Sequence, residues 1–252
     1  MIRDFDGRKV FVMVPSYKRA ANVPSIHALL GRDVTWIVWA EQEEEYRKMG
    51  ALNILYQKNL SDGRNVGMDE AFKLGVPILI SDDDAKSFGR LQDGKRVPIS
   101  FEETVIEMYD AAVENGAKLA GVLSTPNPFY ASNKVNTTGF CCGCFLLIFP
   151  NDLRFDHDME PKEDYHYTLG QLATVGKVAR CDFLLPIYEH WTNDGGVKET
   201  RTPESEIAAI QKLKAIWGVA VRDNPRRENE ILLHWDAEKY HASKRKNRKW
   251  GV

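Results

Sequence analysis

Short runs of consecutive apolar residues alternate along this chain with segments whose apolar residues recur at helical spacing. Lys9 to Val14 and Val76 to Ile80 are apolar runs with β-branched members, as expected of strands buried on both faces of a sheet, and Val34 to Ala40, Asn53 to Tyr56 and Leu119 to Leu123 read as further strands. Between the first two, Asn22 to Leu30 sets Val23, Ile26, Leu29 and Leu30 on one helical face, with Asn22 as a cap and Pro24 in the first turn. Glu43 to Met49, ahead of Gly50, reads as the next helix. Phe101 to Asn115 carries Val105, Met108, Tyr109, Ala112 and Val113 at helical spacing and stops at Gly116. Strand and helix in alternation predict an α/β fold, a mostly parallel sheet with helices on its faces.

The second half reads less evenly. Ser124 to Thr138 reads as a long loop or hairpin, Gly139 to Ile148 as a strand with small residues at its start, and Met159 to Ala173 as a helix. Val178 to Leu185 reads as the last strand. Thr202 to Trp217 is a helix with Thr202 as cap, Pro203 in the first turn and Ile207, Ile210, Leu213, Ile216 and Trp217 along one face. These elements divide the chain into a main unit, 1–200, and a C-terminal helix with a basic tail, 201–252, packed on that unit or extending from it.

The length of 252 residues with 43% hydrophobic content is enough for a full core. A net charge of −2 gives no global sign of a nucleic-acid binder, but Lys244, Arg245, Lys246, Arg248 and Lys249 crowd six positions near the end. Such a block is either a solvated tail or a grip on phosphates. Cys141, Cys142, Cys144 and Cys181 lack zinc-site spacing and read as reduced thiols in a buried strand, hence a cytoplasmic protein. No signal peptide and no membrane-spanning run are apparent, so no membrane partner is expected.

The chemistry concentrates where apolar runs end. The run from Val76 breaks into Asp82, Asp83 and Asp84, and on an extended strand end Asp82 and Asp84 share one side. Two converging carboxylates repel unless a cation lies between them, and hard oxygen ligands favour Mg²⁺ or Mn²⁺. A solvated acidic turn that caps a helix is the competing reading. The first run breaks at Pro15, Ser16, Tyr17, Lys18 and Arg19, which delivers a cationic loop to the same kind of edge. Leu60 to Gly67 reads as a Ser, Asp and Gly-rich turn opening a helix, where backbone N–H groups and Arg64 suit an anion such as a diphosphate. Asp156 and Asp158 repeat the paired-acid spacing after a polar loop and rank lower. Glu163 and Asp164 begin a helix, favoured there by its dipole, with a catalytic base as the sharper alternative.

In this order the motifs resemble those of the GT-A fold nucleotide-sugar glycosyltransferases, over roughly Val10 to Trp191. Pro15, Ser16, Tyr17 and Arg19 look like the first-strand loop around base and ribose, and Glu41 lies where an acid often reads the base. Gly63-Arg64-Asn65-Val66-Gly67 resembles the family's Arg-Asn-x-Gly helix start, and Asp82-Asp83-Asp84 matches its DxD motif. Glu163-Asp164 resembles the pair that carries the acceptor base, and His190 the late histidine of the metal site. The resemblance implies a GT-A catalytic domain over 1–200 with a small antiparallel element at its acceptor side. It also implies a UDP-sugar or similar donor, held through Arg64, Asp82 and Asp83, and a Mn²⁺ or Mg²⁺ ion on Asp82, Asp84 and His190. Asp164 would be the base if configuration inverts, with Glu163 beside it. Within the fold the chain is most similar to the TET-associated glycosyltransferases of bacteriophages. That similarity implies a 5-hydroxymethylcytosine acceptor in DNA, with Lys244, Arg245, Lys246, Arg248 and Lys249 on its phosphates. A GT-A transferase with a saccharide or lipid-linked acceptor and a non-catalytic nucleic-acid-binding module are the alternatives.

Overall fold

The computed structural model describes residues 1–189 and 201–249, apart from the side chains of 244–249. Its first elements are β1 (Ile2–Phe5), β2 (Arg8–Pro15), α1 (Val23–Leu30), β3 (Thr35–Val38), α2 (Glu43–Lys48), β4 (Asn53–Tyr56), α3 (Leu60–Lys73) and β5 (Ile78–Ser81). There follow β6 (Ala85–Gln92), β7 (Lys95–Ile99), α4 (Phe101–Asn115), β8 (Leu119–Val122), β9 (Val135–Asn136), β10 (Phe145–Ile148), α5 (Glu163–Thr174) and β11 (Ala179–Cys181). The described chain ends with β12 (Ile187–Tyr188), α6 (Pro203–Trp217), β13 (Val221–Asp223), β14 (Ile231–Leu233) and α7 (Ala237–Lys249).

Nine strands form the main sheet in the order β4-β3-β2-β5-β10-β8-β11-β9, with β1 paired to β2. The ladders β2–β3, β3–β4, β2–β5 and β8–β11 are parallel, while β1, β10 and β9 run against their neighbours. The fold is therefore α/β, with a large, mostly parallel mixed sheet flanked by helices. The apolar runs are consecutive because both faces are covered. Val10, Val12 and Val14 of β2 join one buried cluster with α1 and α4, and Phe11 and Met13 join the other with Met68 of α3 and Leu169 and Leu172 of α5. Each fully buried aliphatic side chain stabilises by about 1.5–3 kcal/mol relative to exposure.

β3 and β4 lie on one side of β2 and β5 on the other, so strand order reverses between β2 and β5. In open α/β sheets the crevice beyond the carboxyl ends of such strands is where ligands sit. The loop after Pro15 and the acids after Ser81 both emerge there.

A second, antiparallel sheet of β12-β6-β7 starts directly after the acids. Its hairpin turns at Asp93 and Gly94, with φ of 49° and 74°. Two left-handed residues give the twist that a two-residue hairpin needs, and the Asp6-Gly7 turn between β1 and β2 repeats the device with φ of 53° and 80°. The sequence reading includes neither hairpin.

Other boundaries differ with identifiable causes. Leu60 to Gly67 is the first part of α3 and not a turn, because the Asn59 side chain already caps the helix by accepting from the Asp62 amide. Gly63 and Gly67 are packing residues. A Cβ at Gly67 would sit 2.1 Å from Met13 Sδ, and one at Gly63 2.1 Å from Gln57 Oε1. Asn22 stands at the start of α1 without capping it. The expected strand from Gly139 is confined to β10, and Cys141, Cys142 and Cys144 lie in the segment before it, all free thiols. The run from Val178 yields only β11, and it is not the last strand, since β12, β13 and β14 follow. A short 3-10 turn, His157–Met159, replaces the first turn of the helix expected from Met159, and α5 begins at Glu163. Of the two arrangements open for the C-terminal segment, packing on the main unit is the one seen: Leu213, Trp217, Val221, Ile231 and Tyr240 share a buried cluster with Met68, Phe155 and Tyr167.

Candidate active site

The β2/β5 crevice opens into a cleft of about 560 Å³. One wall is the loop after β2, and its shape is set from below. The Ser16 amide donates to the Ile37 carbonyl at 2.9 Å, the Ser16 carbonyl accepts from Gln57 Nε2 at 3.1 Å, and Ser16 Oγ lies 2.5 Å from the Tyr46 hydroxyl. Tyr46 is wholly buried and its hydroxyl also accepts from the Arg19 amide at 3.1 Å. Beyond this frame the rings of Tyr17 and Trp39 pack at 5.4 Å with their planes 50° apart and both line the cleft, aromatic surface suited to a planar base. Glu41 lies two residues farther on, exposed and outside the lining.

All three acids line the cleft, but they are not equivalent. The Asp82 amide donates to the Cys144 carbonyl at 2.9 Å and so prolongs the β5–β10 ladder. Asp83 accepts from Ser16 Oγ and from Arg19 Nη1, the latter at 2.9 Å, and its carbonyl accepts from Asn22 Nδ2 at 3.0 Å. Asn22 and Asp83 thereby fasten the two strand ends together, and Arg19 is held by the acids, 4.0 Å from Asp84 Oδ2. Asp82 keeps part of its surface open to the cleft. Burial and the adjacent Asp84 push its carboxyl up to about 8, against the pull of Arg64.

Opposite the acids stands Arg64, only 3% exposed. Its Nη1 lies 2.5 Å from Glu163 Oε1, its Nη2 donates to the Gly143 carbonyl at 3.2 Å, and its Nε has no hydrogen-bond partner among the described residues. Position 143 must be glycine for this approach, since a Cβ there would lie 2.5 Å from Arg64 Nη2. Glu163 is thus the counter-charge of a buried cation. Its neighbour Asp164 faces the cleft and accepts from two backbone amides, Gly143 at 3.0 Å and Tyr165 at 2.8 Å. Burial and Glu163 push the Asp164 carboxyl up to about 6, opposed by Gly143 and Arg64. A carboxylate tuned toward neutrality is suited to taking a proton from a hydroxyl.

The cleft is completed by Glu160 and by residues that the sequence reading omits, among them Trp39, Gln57 and Arg201. Trp39 directly follows β3, two residues before Glu41, where an aromatic is a usable signal. Arg201 comes from just before α6, held to the Glu206 carboxylate of that helix, and no local pattern announces it.

Asp82 and Asp84 offer hard oxygen atoms in one cleft, and their mutual repulsion raises the carboxyl of Asp82. That donor set fits a divalent cation. His190, the expected third ligand, lies outside the described residues. Among the described residues, Asp156, His157 and Asp158 also gather ligand atoms within 4.8 Å of one another. There Asp156 Oδ1 accepts from the Asp158 amide at 2.9 Å, and His157 lies 3.0 Å from Asp158, so these groups serve their own exposed turn. Lys244, Arg245, Lys246, Arg248 and Lys249 fall within the helical range of α7, and their side chains lie outside the described residues. No described helix is long and apolar enough to cross a membrane. Comparison with protein-family models gives no match, and comparison with curated proteins gives none either.

Proposed function

We propose that this chain is a metal-dependent glycosyltransferase of the GT-A type. It moves a sugar from a nucleoside diphosphate donor, best a UDP-sugar, to a hydroxyl, with 5-hydroxymethylcytosine in DNA as the acceptor. The observation that carries the reading is the convergence of Asp82, Asp84, Arg64 and Asp164 on one cleft at the β2/β5 reversal. Tyr17 and Trp39 supply a surface for the base, and the loop from Pro15 to Arg19 surrounds the ribose. Asp82 and Asp84 would hold Mn²⁺ or Mg²⁺, which supplies positive charge to a diphosphate leaving group. Arg64, fixed by Glu163 and Gly143, adds a preorganised cation that needs no rearrangement as charge develops. Asp164, oriented by an amide on each carboxylate oxygen and lining the cleft, takes the acceptor proton.

The test is sugar transfer from a panel of nucleotide sugars, with Mn²⁺ or with EDTA, onto DNA containing 5-hydroxymethylcytosine and onto unmodified DNA, read by nucleoside mass. The expected result is a metal-dependent hexose mass on the modified base alone. Donor turnover without a mass gain on any base removes the DNA acceptor. No turnover of any donor with metal overturns the whole reading.

A further inference from the structure

A second cavity, of about 580 Å³, lies between the segment leading into β10, the start of α5 and the β13–β14 hairpin. It shares a wall with the first: Phe140 and Tyr165 line this side, while Cys142 and Asp164 line the other. In the wall the rings of Phe140 and Tyr165 stack at 3.8 Å and 13°, and the Tyr165 hydroxyl donates to the Ile231 carbonyl at 3.4 Å. Arg180 is seated against Asp182 at 2.6 Å and donates to the Phe140 carbonyl at 3.3 Å. Gly139 permits that seat, because a Cβ there would lie 2.8 Å from the Arg180 guanidinium carbon.

The rest of the lining has a consistent chemistry. Arg227 is exposed and forms no ion pair among the described residues, Asn136 and Asn224 offer amides, and the half-buried Trp235 is an aromatic in the lining. Glu230 is the one acid in the lining, 4.0 Å from Lys162 Nζ. Tyr240 of α7 packs 4.9 Å from Trp235, so the helix whose sequence carries the basic run begins beside this cavity.

We infer that the cavity receives a single-stranded segment of nucleic acid. Arg227 and Arg180 meet phosphates, Trp235 stacks a base, and the amides meet base edges. Its role as the acceptor site rests on the transferase reading; the binding itself does not. A strand there runs past the wall that carries Asp164, which suits a base displaced from its stack toward the first cleft.

The test is fluorescence anisotropy of labelled single-stranded and duplex oligonucleotides with the full chain, over a salt series. Arg227→Glu is compared with Arg222→Glu, an exposed arginine of the same hairpin outside the lining. Arg227→Glu should weaken single-strand binding about ten-fold more than Arg222→Glu and lower the log–log salt slope by about 1. Trp235→Leu should weaken binding and Trp235→Phe should largely retain it. Should Arg227→Glu melt below the wild type, Arg227→Gln gives the same comparison. Equal losses at positions 227 and 222, no oligonucleotide binding by the wild type, or equally tight binding of heparin each overturn the inference. UDP-sugar binding by the same variants separates the two proposals: losses of oligonucleotide confined to Arg227 and Trp235 variants uphold the cavity even where no donor binds.

Discussion

Asp82-Asp83-Asp84 and Asp156-His157-Asp158 have the same paired-acid spacing and opposite surroundings. The first follows a buried strand at the place where sheet order reverses, and its middle member, Asp83, is held by Ser16, Arg19 and Asn22 from the segment after β2. The second closes an exposed 3-10 turn with its own carboxylate. The contrast teaches that spacing is not the signal. What separates a candidate metal centre from a surface turn is whether neighbouring elements force the carboxylates to remain together away from water.

The supports of the first cluster can be broken most severely at the buried ion pair behind it. Glu163→Ala leaves Arg64 charged and enclosed, and should lower stability by about 3–5 kcal/mol in urea titrations. Asp158→Ala, which removes an exposed partner of Lys212 at 3.9 Å, should stay within about 0.5 kcal/mol of the wild type. Equal losses would mean that the pair is not enclosed as described.

Turnover gives the next largest difference. Asp84→Ala should reduce metal-dependent donor turnover on the order of 10²–10³-fold while melting near the wild type, because it removes one fixed electrostatic contact and a repulsion with Asp82. Normal turnover with unchanged metal dependence would remove the metal assignment from these acids.

How far this was legible from the chain follows from what each element contacts. β2, β3 and β5 are readable because strands covered on both faces are apolar at successive positions, β4 is a short, half-exposed edge strand beside them, and the acids at Asp82 stand out because they end such a run. The hairpins at Asp6-Gly7 and Asp93-Gly94 carry a readable turn signal, but β6 and β7 are half exposed and their mixed polar content masks the strands around it. Arg64 is different in kind. Nothing local to it tells that its partner is Glu163, 99 residues away, or that Gly143 exists to let it approach. Arg201 and the second cavity depend likewise on how the C-terminal segment packs back, which periodicity does not encode.

The raised carboxyl groups sharpen the contrast with pH. Asp82 and Asp164 have folded pKa values, about 8 and about 6, above an ordinary aspartate, so the native state keeps protons that the unfolded chain has released. Their stabilisation is fully present below about pH 4 and is lost as pH rises, through about 6 for Asp164 and about 8 for Asp82. In EDTA the stability of the wild type should therefore fall between pH 6 and 8, by at most about 1.4 kcal/mol per pH unit for Asp82. Asp82→Asn should flatten that limb, and Mn²⁺ should flatten it in the wild type by stabilising the ionised form. An unchanged limb in Asp82→Asn would show that Asp82 is not held against its neighbours.

The smallest effect isolates the spacing itself. Asp156→Ala removes a side chain that accepts from the Asp158 amide at 2.9 Å, an interaction of one exposed turn with itself. The expected cost is about 1 kcal/mol or less, the scale of a lost cap, with turnover and metal dependence unchanged. Were metal dependence to shift instead, the ion would belong to Asp156, His157 and Asp158, whose atoms already lie within 4.8 Å of one another, and the enclosed acids after β5 would be fasteners between strand ends. The outcome turns on solvation: the exposed group gives up little by remaining hydrated, whereas Asp82 beside Asp84 has few neighbours able to offset its charge, and that imbalance is what a cation relieves.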